Sequence, residues 1–275
     1  MKTFFHYLAV LVLTIVTVGC EDVVDVDLND ENPRLVIDAA IKWQKGTAGE
    51  TQSIRLSMTN NYYTNDVVPA SGAVVQITNS TNTVFAFAEI GTTGEYVCTD
   101  FVPVINESYT LNVLYNGQTY AATNTLYATP EILYVEQETV TDVDGSDKIQ
   151  LKWYFQDNGA EDNFYLLTVK NPNKVIPEYG TLSDEFFQGN PMFGFYSSGE
   201  TESGTTILLQ VQGISEQYYN YMNKLIAIAT TNAGNPFATP PVTLRSNIIN
   251  QTNPANYPLG YFSLGETDLR NYLVQ

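Results

Sequence analysis

The chain has 275 residues, 44% of them hydrophobic, which suffices for a substantial core and for two domains of ordinary size. Its formal net charge of −18 excludes nucleic acids as partners, because such a surface repels phosphates. The single histidine is His6, so serine–histidine or cysteine–histidine catalysis and histidine zinc sites are excluded for everything after it.

Residues 1–19 have the pattern of a lipoprotein signal peptide. A lysine is followed by a nearly unbroken apolar run that ends at Val18, and Gly19 then precedes Cys20. The run is shorter than a full membrane span and suits the hydrophobic region of a signal peptide. We therefore expect Cys20 to be acylated and to anchor the protein in a membrane. An uncleaved anchor, or a plain secretory signal with an incidental cysteine, is the alternative.

Residues 20–33 are predicted to form an acidic tether that is too charged to pack. Acidic residues directly after a lipidated cysteine resemble the surface-export signal of Bacteroidota lipoproteins, whereas an ordinary acidic linker would look the same. The sequence thus favours attachment to the outer membrane and leaves open which side the protein faces.

Residues 34–127 are predicted to form an immunoglobulin-like β-sandwich, since short alternating strands recur along them. Ser53–Met58 alternates with period two, and Asn116-Gly117 between two alternating runs is a strong hairpin signal. Cys98 lies in a strand-like stretch. With no histidine to activate it, we expect it to be a buried, inert side chain.

Residues 128–275 are predicted to form a second, fibronectin III-like β-rich domain, so the fold class is mainly β with two tandem sandwiches. A strand carrying Trp153 precedes an Asp-Asn-Gly turn and a tyrosine-bearing strand, and Trp153 is interpreted as a packing residue. One helix is predicted over 215–231, with Ser215 as N-cap and an apolar stripe that packs on the sheets. The stripe comprises Tyr218, Tyr221, Met222, Leu225, Ile226 and Ala229.

An aromatic-rich loop insertion, punctuated by glycine and proline, interrupts the second domain and is the best candidate contact surface. Aromatic side chains on such loops stack on sugars or anchor a protein partner. The alternative is a long hairpin whose aromatic residues fill the core. The candidate residues are Tyr179, Phe186, Phe187, Phe193, Phe195 and Tyr196. Tyr62 and Tyr63, beside two asparagines, form a weaker candidate loop.

One acidic cluster has the composition of a calcium site. Asp142, Asp144 and Asp147 surround a turn glycine, and Ca²⁺ prefers oxygen ligands. The spacing departs from an EF-hand, so an exposed Asp-Gly hairpin turn is the competing interpretation. We expect no other cofactor, since the sequence has no glycine-rich phosphate loop.

Paired carboxylates remain a possible catalytic chemistry, because they can hydrolyse glycosides without histidine. Thirty acidic residues make some pair inevitable, and no specific motif accompanies one. The sequence therefore predicts a protein that is not an enzyme, with a carboxylate-based glycosidase as the less favoured alternative.

Several segments together resemble the Bacteroidota lipoproteins called domain of unknown function 4249. The segments are the Gly19-Cys20 signal, Leu35–Asp38, Ser71–Val75, Leu182–Glu185, the helix Ser215–Tyr221, Pro240–Ile248 and Leu259–Ser263. The resemblance implies a partner, because members often accompany TonB-dependent outer-membrane transporters, but it brings no catalytic or ligand residues. We expect a binding or accessory component of such an uptake system, and the alternative is a structural or adhesive surface protein.

Overall fold

The computed structural model describes residues 33–275 except 61–65, 144 and 232–243. The predicted signal peptide, Cys20, and Tyr62 and Tyr63 lie outside the described residues. In the described part the chain is mainly β, as predicted, with a single helix. The strands are β1 (Leu35–Gln44), β2 (Gln52–Met58), β3 (Val68–Pro69), β4 (Val74–Asn79), β5 (Val84–Glu89), β6 (Glu95–Cys98), β7 (Ser108–Tyr115), β8 (Gln118–Tyr127), β9 (Ile132–Thr141), β10 (Asp147–Gln156), β11 (Phe164–Lys170), β12 (Glu178–Ser183), β13 (Pro191–Ser198), β14 (Thr206–Ile214), β15 (Ile249–Asn250) and β16 (Leu259–Leu273), and the helix is α1 (Glu216–Thr231).

The first part of the chain closes into a barrel instead of the expected sandwich. Following the pairings from β16 through β1, β2, β6, β5, β4, β7 and β8 leads back to β16, where Leu264 pairs with Leu126. Eight of the described strands thus form a closed ring. Side chains along a strand point alternately into the core and out to solvent in both a barrel and a sandwich. The sequence pattern alone therefore cannot distinguish the two folds.

The barrel is filled by the side chains that alternate inward along its strands. β1 shows the pattern clearly, because Ile37, Ala39 and Ile41 are fully buried while the residues between them are not. Aromatic rings also belong to this core, with the ring centroids of Phe101 and Tyr109 5.2 Å apart. Burial of each such side chain stabilises the fold by roughly 1.5–3 kcal/mol.

Cys98 lies in the barrel core and is 1% exposed, as the strand pattern predicts. Its thiol donates to Asp100 Oδ1 at 3.0 Å. Burial, with a further contribution from Asp100, raises the pKa of Cys98 to about 11. The thiol therefore stays protonated at neutral pH and is a poor nucleophile.

The second part is a sandwich of a three-stranded and a four-stranded sheet. The orders are β13-β10-β9 and β12-β11-β14-β16, and their facing side chains form one core. This arrangement agrees with the fibronectin III-like prediction. Trp153 is fully buried at the centre, opposite Gly194 on β13, and is a packing residue as predicted.

β16 is shared between barrel and sandwich, which the sequence did not predict. Its first half pairs in parallel with β1, from Val36 beside Leu259 to Gln44 beside Thr267. Its second half pairs antiparallel with β14. Residues 33–275 consequently form one compact unit.

Helix α1 is confirmed close to its predicted bounds and packs on the outer face of the four-stranded sheet. Ser215 Oγ accepts from Tyr218 N at 3.1 Å, which makes Ser215 the N-cap. Tyr218 and Met222 are buried against the sheet. Of the other residues in the predicted stripe, Tyr221 and Ile226 are partly buried against the sheet, whereas Leu225 and Ala229 are exposed.

Candidate binding surface

Three of the six candidate aromatic residues, Phe193, Phe195 and Tyr196, lie on β13, and they fall on opposite faces of that strand. Met192, Gly194 and Tyr196 point into the sandwich core, and Phe193 and Phe195 point outward, since side chains alternate along a strand. Tyr196 is 3% exposed, and its hydroxyl accepts from Asn171 Nδ2 at 2.9 Å. Tyr196 is therefore a core residue, which corrects its assignment to the contact surface.

The other five candidates are exposed, but they do not all lie together. Phe186 and Phe187 occupy the turn between β12 and β13 and are 84% and 45% exposed. Tyr179 points away from the sandwich core on the face of β12 next to helix α1, where burial and the charge of Asp38 raise its pKa. Tyr179 is thus separated from the phenylalanines by the thickness of the sheet.

The structure adds two tyrosines that the sequence analysis missed. Tyr134 on β9 pairs with Tyr154 on β10, and Tyr154 pairs with Phe193 on β13. The Tyr134 and Tyr154 rings stack at 4.7 Å, and the rings of Tyr154 and Phe193 lie 5.5 Å apart. Phe187 and Phe195 line the same cavity as Phe193, and we call the whole set the aromatic surface: Tyr134, Tyr154, Phe187, Phe193 and Phe195. Tyr154 follows the buried Trp153 directly, so strand alternation alone already places it on the outer face.

A polar contact fixes the central ring of the aromatic surface. The Tyr154 hydroxyl donates to Glu136 Oε2 at 2.8 Å. That hydrogen bond to a carboxylate raises the pKa of Tyr154 to about 12, so the hydroxyl remains protonated at neutral pH. The half-buried ring is therefore neutral and held in a fixed orientation between Tyr134 and Phe193.

Beside the aromatic surface a groove opens between β12 and β13, the edge strands of the two facing sheets. We call it the edge groove; its volume is about 340 Å³. Its lining is uncharged and mostly apolar, with aliphatic side chains at the base and phenylalanines at the rim. The lining residues are Leu167, Gly180, Thr181, Leu182, Phe187, Met192, Phe193 and Phe195.

An acidic cleft of about 270 Å³ lies where the barrel meets the sandwich. The hydroxyl of Tyr165 donates to Asp157 Oδ1 at 2.9 Å, and the backbone N–H of Gly189 donates to Oδ2 at 2.8 Å. Asp184 Oδ2 accepts from Asn163 N, and burial raises the pKa of Asp184. These contacts connect loop 157–163 to loop 184–190, and they give the carboxylates a structural role without favouring the glycosidase alternative.

The candidate calcium cluster lies in the hairpin between β9 and β10. Asp142 pairs with the ammonium of Lys148, which holds the pKa of Asp142 below its usual range. Asp147 Oδ1 accepts from Thr141 Oγ1 at 2.8 Å. Asp144 is not among the described residues, within which no group of three acidic, histidine or cysteine side chains could hold a metal ion. The Ca²⁺ site stays a prediction, and two of its three carboxylates already have partners.

In the comparison with protein families, the model described as Domain of unknown function (DUF4249) matches residues 21–270. No curated protein matches. Within the described residues, no helix is both long and apolar enough to cross a membrane.

Two solved structures are similar at low scores. A two fibronectin type-III domain segment from chicken tenascin has 10% identity and a TM-score of 0.21, covering 66% of this chain and 91% of its own. A cytokine receptor complex (crystal form 1A) has 10% identity and a TM-score of 0.25, covering 67% and 86%. Both TM-scores are too low to support an argument.

Proposed function

The chain belongs to the family described as Domain of unknown function (DUF4249), and on this premise we propose that it is a lipid-anchored outer-membrane protein serving as an accessory binding component of a TonB-dependent nutrient uptake system. The family match begins at residue 21, directly after Cys20, which supports acylation and processing at that cysteine. We propose a TonB-dependent transporter as the partner because members of the family often accompany such transporters.

The aromatic surface is the observation that carries a binding role. Phe193 and Phe195 are 43% and 51% exposed on one face of β13, and Phe193 adjoins the stacked tyrosines. Contiguous exposed apolar surface on a water-soluble domain marks interaction sites, and aromatic side chains dominate the energetics of such sites. Truncation of one central aromatic residue typically costs about 2 kcal/mol or more, which is about thirtyfold in Kd.

The position of this surface fits a protein that is tethered at the other end. The chain enters the barrel at Leu35, and the next residue pairs with Leu259. The aromatic surface lies close to the level of Asp268, because Ile132, which pairs with Phe155 next to Tyr154, donates its N–H to that carboxylate. Leu259 and Asp268 are nine residues apart on β16, and a strand rises about 3.3 Å per residue. The aromatic surface therefore lies about 30 Å along the strand from the point where the chain enters the barrel.

The test is recovery of a transporter from solubilised outer membrane with the tagged full chain as bait. We expect a TonB-dependent transporter to be recovered, and the double variant Tyr154→Ser/Phe193→Ser to recover at least about tenfold less. The matched control is Leu114→Ser on the barrel surface, where Leu114 is 47% exposed. Recovery of the bait without any transporter would refute the proposed role and would favour a spacer or adhesive protein.

A further inference from the structure

The sandwich is closed on one side and open on the other. On the β9–β16 side, Ile132 N donates to Asp268 Oδ2 at 2.7 Å, and Arg270 Nη2 donates to Ile132 O at 2.5 Å. Gln275 N also donates to Gln137 Oε1 at 3.0 Å. On the other side, β12 and β13 each pair with one strand only, as far as the described residues extend. The backbone groups of every second residue on these edges face solvent.

β12 contains no lysine, no proline and no bulge, and its one charged residue, Glu178, lies at its first position. Natural edges carry lysine, proline or a bulge, which prevents another strand from adding to them. β12 reads Glu-Tyr-Gly-Thr-Leu-Ser, and its register with β11 is unbroken from Phe164 beside Ser183 to Val169 beside Glu178. Helix α1 contacts β12 where Thr181 Oγ1 donates to Asn223 Oδ1, and among the described strands only β11 pairs with β12. A further strand can therefore pair along β12.

The edge groove supplies the pockets that such a strand needs. A strand added to β12 would turn every second side chain toward the space between the two sheets. That space is lined by Leu182 and Met192 at its base and by Phe187 and Phe195 at its rim. Backbone pairing along β12 and apolar burial in the edge groove thus favour the same ligand conformation.

Charge distinguishes one end of the edge groove from the rest. Loops 157–163 and 184–190 meet beyond Leu182 and carry five carboxylates and no lysine or arginine. Glu161, Asp162 and Glu185 are exposed. Because like charges are repelled and opposite charges attracted there, an occupant with basic residues at this end is favoured.

We propose that the edge groove binds an extended polypeptide segment of a partner protein, which adds to β12 as a further strand. Its alternate apolar side chains enter the edge groove, and basic residues at one end lie against loops 157–163 and 184–190. This inference rests on the proposed function only in treating this side of the sandwich as the binding side.

The test uses defined peptides and the full chain in detergent micelles. The probes are fluorescein-labelled Lys-Lys-Val-Thr-Val-Thr-Val-Thr-Val-Thr and its counterpart with both lysines at the carboxyl end, and binding is measured by fluorescence anisotropy. We expect one probe to bind, and Phe187→Ser or Phe195→Ser to weaken it about tenfold or more. Tyr134→Ser, which is equally exposed but outside the edge groove, is the matched control.

Two N-methylated probes, one for each alternating set of residues, and one glutamate probe test the mode of binding. N-methylation of every second residue removes the N–H groups along one edge of the peptide. Binding should be abolished when the methylated edge is the one that faces β12, and it should be unchanged when the other edge is methylated. Glutamate in place of the lysines should weaken binding about tenfold. Failure of both lysine probes up to about 1 mM, survival of both methylated probes, or equal binding of the glutamate probe would each overturn the inference.

The strand-docking inference and the proposed function fail separately. A chain that recovers a transporter but binds no probe retains the proposed function and loses the docking mode. A chain that binds the probe but recovers no transporter retains the docking mode and loses the proposed partner.

Discussion

Gly194 on β13 is the position at which adding a single methyl group should damage the sandwich core most clearly. A Cβ atom there would lie 2.1 Å from Cε2 and 2.2 Å from Cζ2 of Trp153. Ordinary contacts between such atoms begin near 3.5 Å, so the ring would have to move by more than 1 Å. Trp153 is fully buried and surrounded by both sheets, which leaves little room for that movement.

We expect Gly194→Ala to lower the free energy of unfolding by about 2–3 kcal/mol, at the upper end of the range for overpacking in a core. The matched control is Gly180→Ala on β12, where the nearest atom to an added Cβ is Leu167 Cβ at 3.9 Å. That change should be neutral or stabilising by a few tenths of a kcal/mol, because alanine loses less backbone entropy than glycine.

The assay is urea denaturation of the purified chain followed by far-ultraviolet circular dichroism, a signal that remains in variants that lack Trp153. The double variant Gly194→Ala/Trp153→Leu should be less destabilised than the sum of the two single variants, since the smaller side chain makes room for the methyl group. A loss below about 0.5 kcal/mol for Gly194→Ala, or strict additivity in the double variant, would refute this account of the core.

Two further predictions concern the lipid anchor at Cys20 and the hydrogen bonds that Glu89 accepts from the backbone of Gly72 and Gly94. Cys20→Ser should abolish labelling by a palmitate analogue and release the protein as soluble material; an unchanged membrane fraction would contradict acylation at Cys20. Glu89 accepts from Gly72 N at 2.9 Å and Gly94 N at 3.1 Å, and these hydrogen bonds, chiefly that from Gly72, lower its pKa from the ordinary 4.5. The lowered pKa stabilises the fold above the unfolded value, and this stabilisation is lost as the pH falls through the folded value. Thermal denaturation should therefore show Glu89→Gln destabilised at pH 7, and the difference from the unaltered chain should shrink as the pH falls below 4.5. An equal difference at neutral and at low pH would contradict this role of Glu89.

Local features of the fold followed from the sequence because their causes are local. Asn116 and Gly117 both have positive φ, 47° and 72°, and they join β7 to β8 in the hairpin that this dipeptide predicts. Trp153, Cys98 and the cap of helix α1 also took their predicted roles. Alternation and capping act over a few residues, so a sequence window contains the relevant information.

Tertiary structure alone decided how these elements combine. The barrel is completed by β16, whose Leu264 pairs with Leu126 from more than a hundred residues earlier, and no sequence pattern specifies that partner. The aromatic surface likewise depends on the register of three strands, which aligns Tyr134, Tyr154 and Phe193 and turns Tyr196 inward. The two-residue repeat of a strand predicts that neighbouring side chains face opposite sides of the sheet. Which of the two faces meets the core is decided only when the sheets pack together.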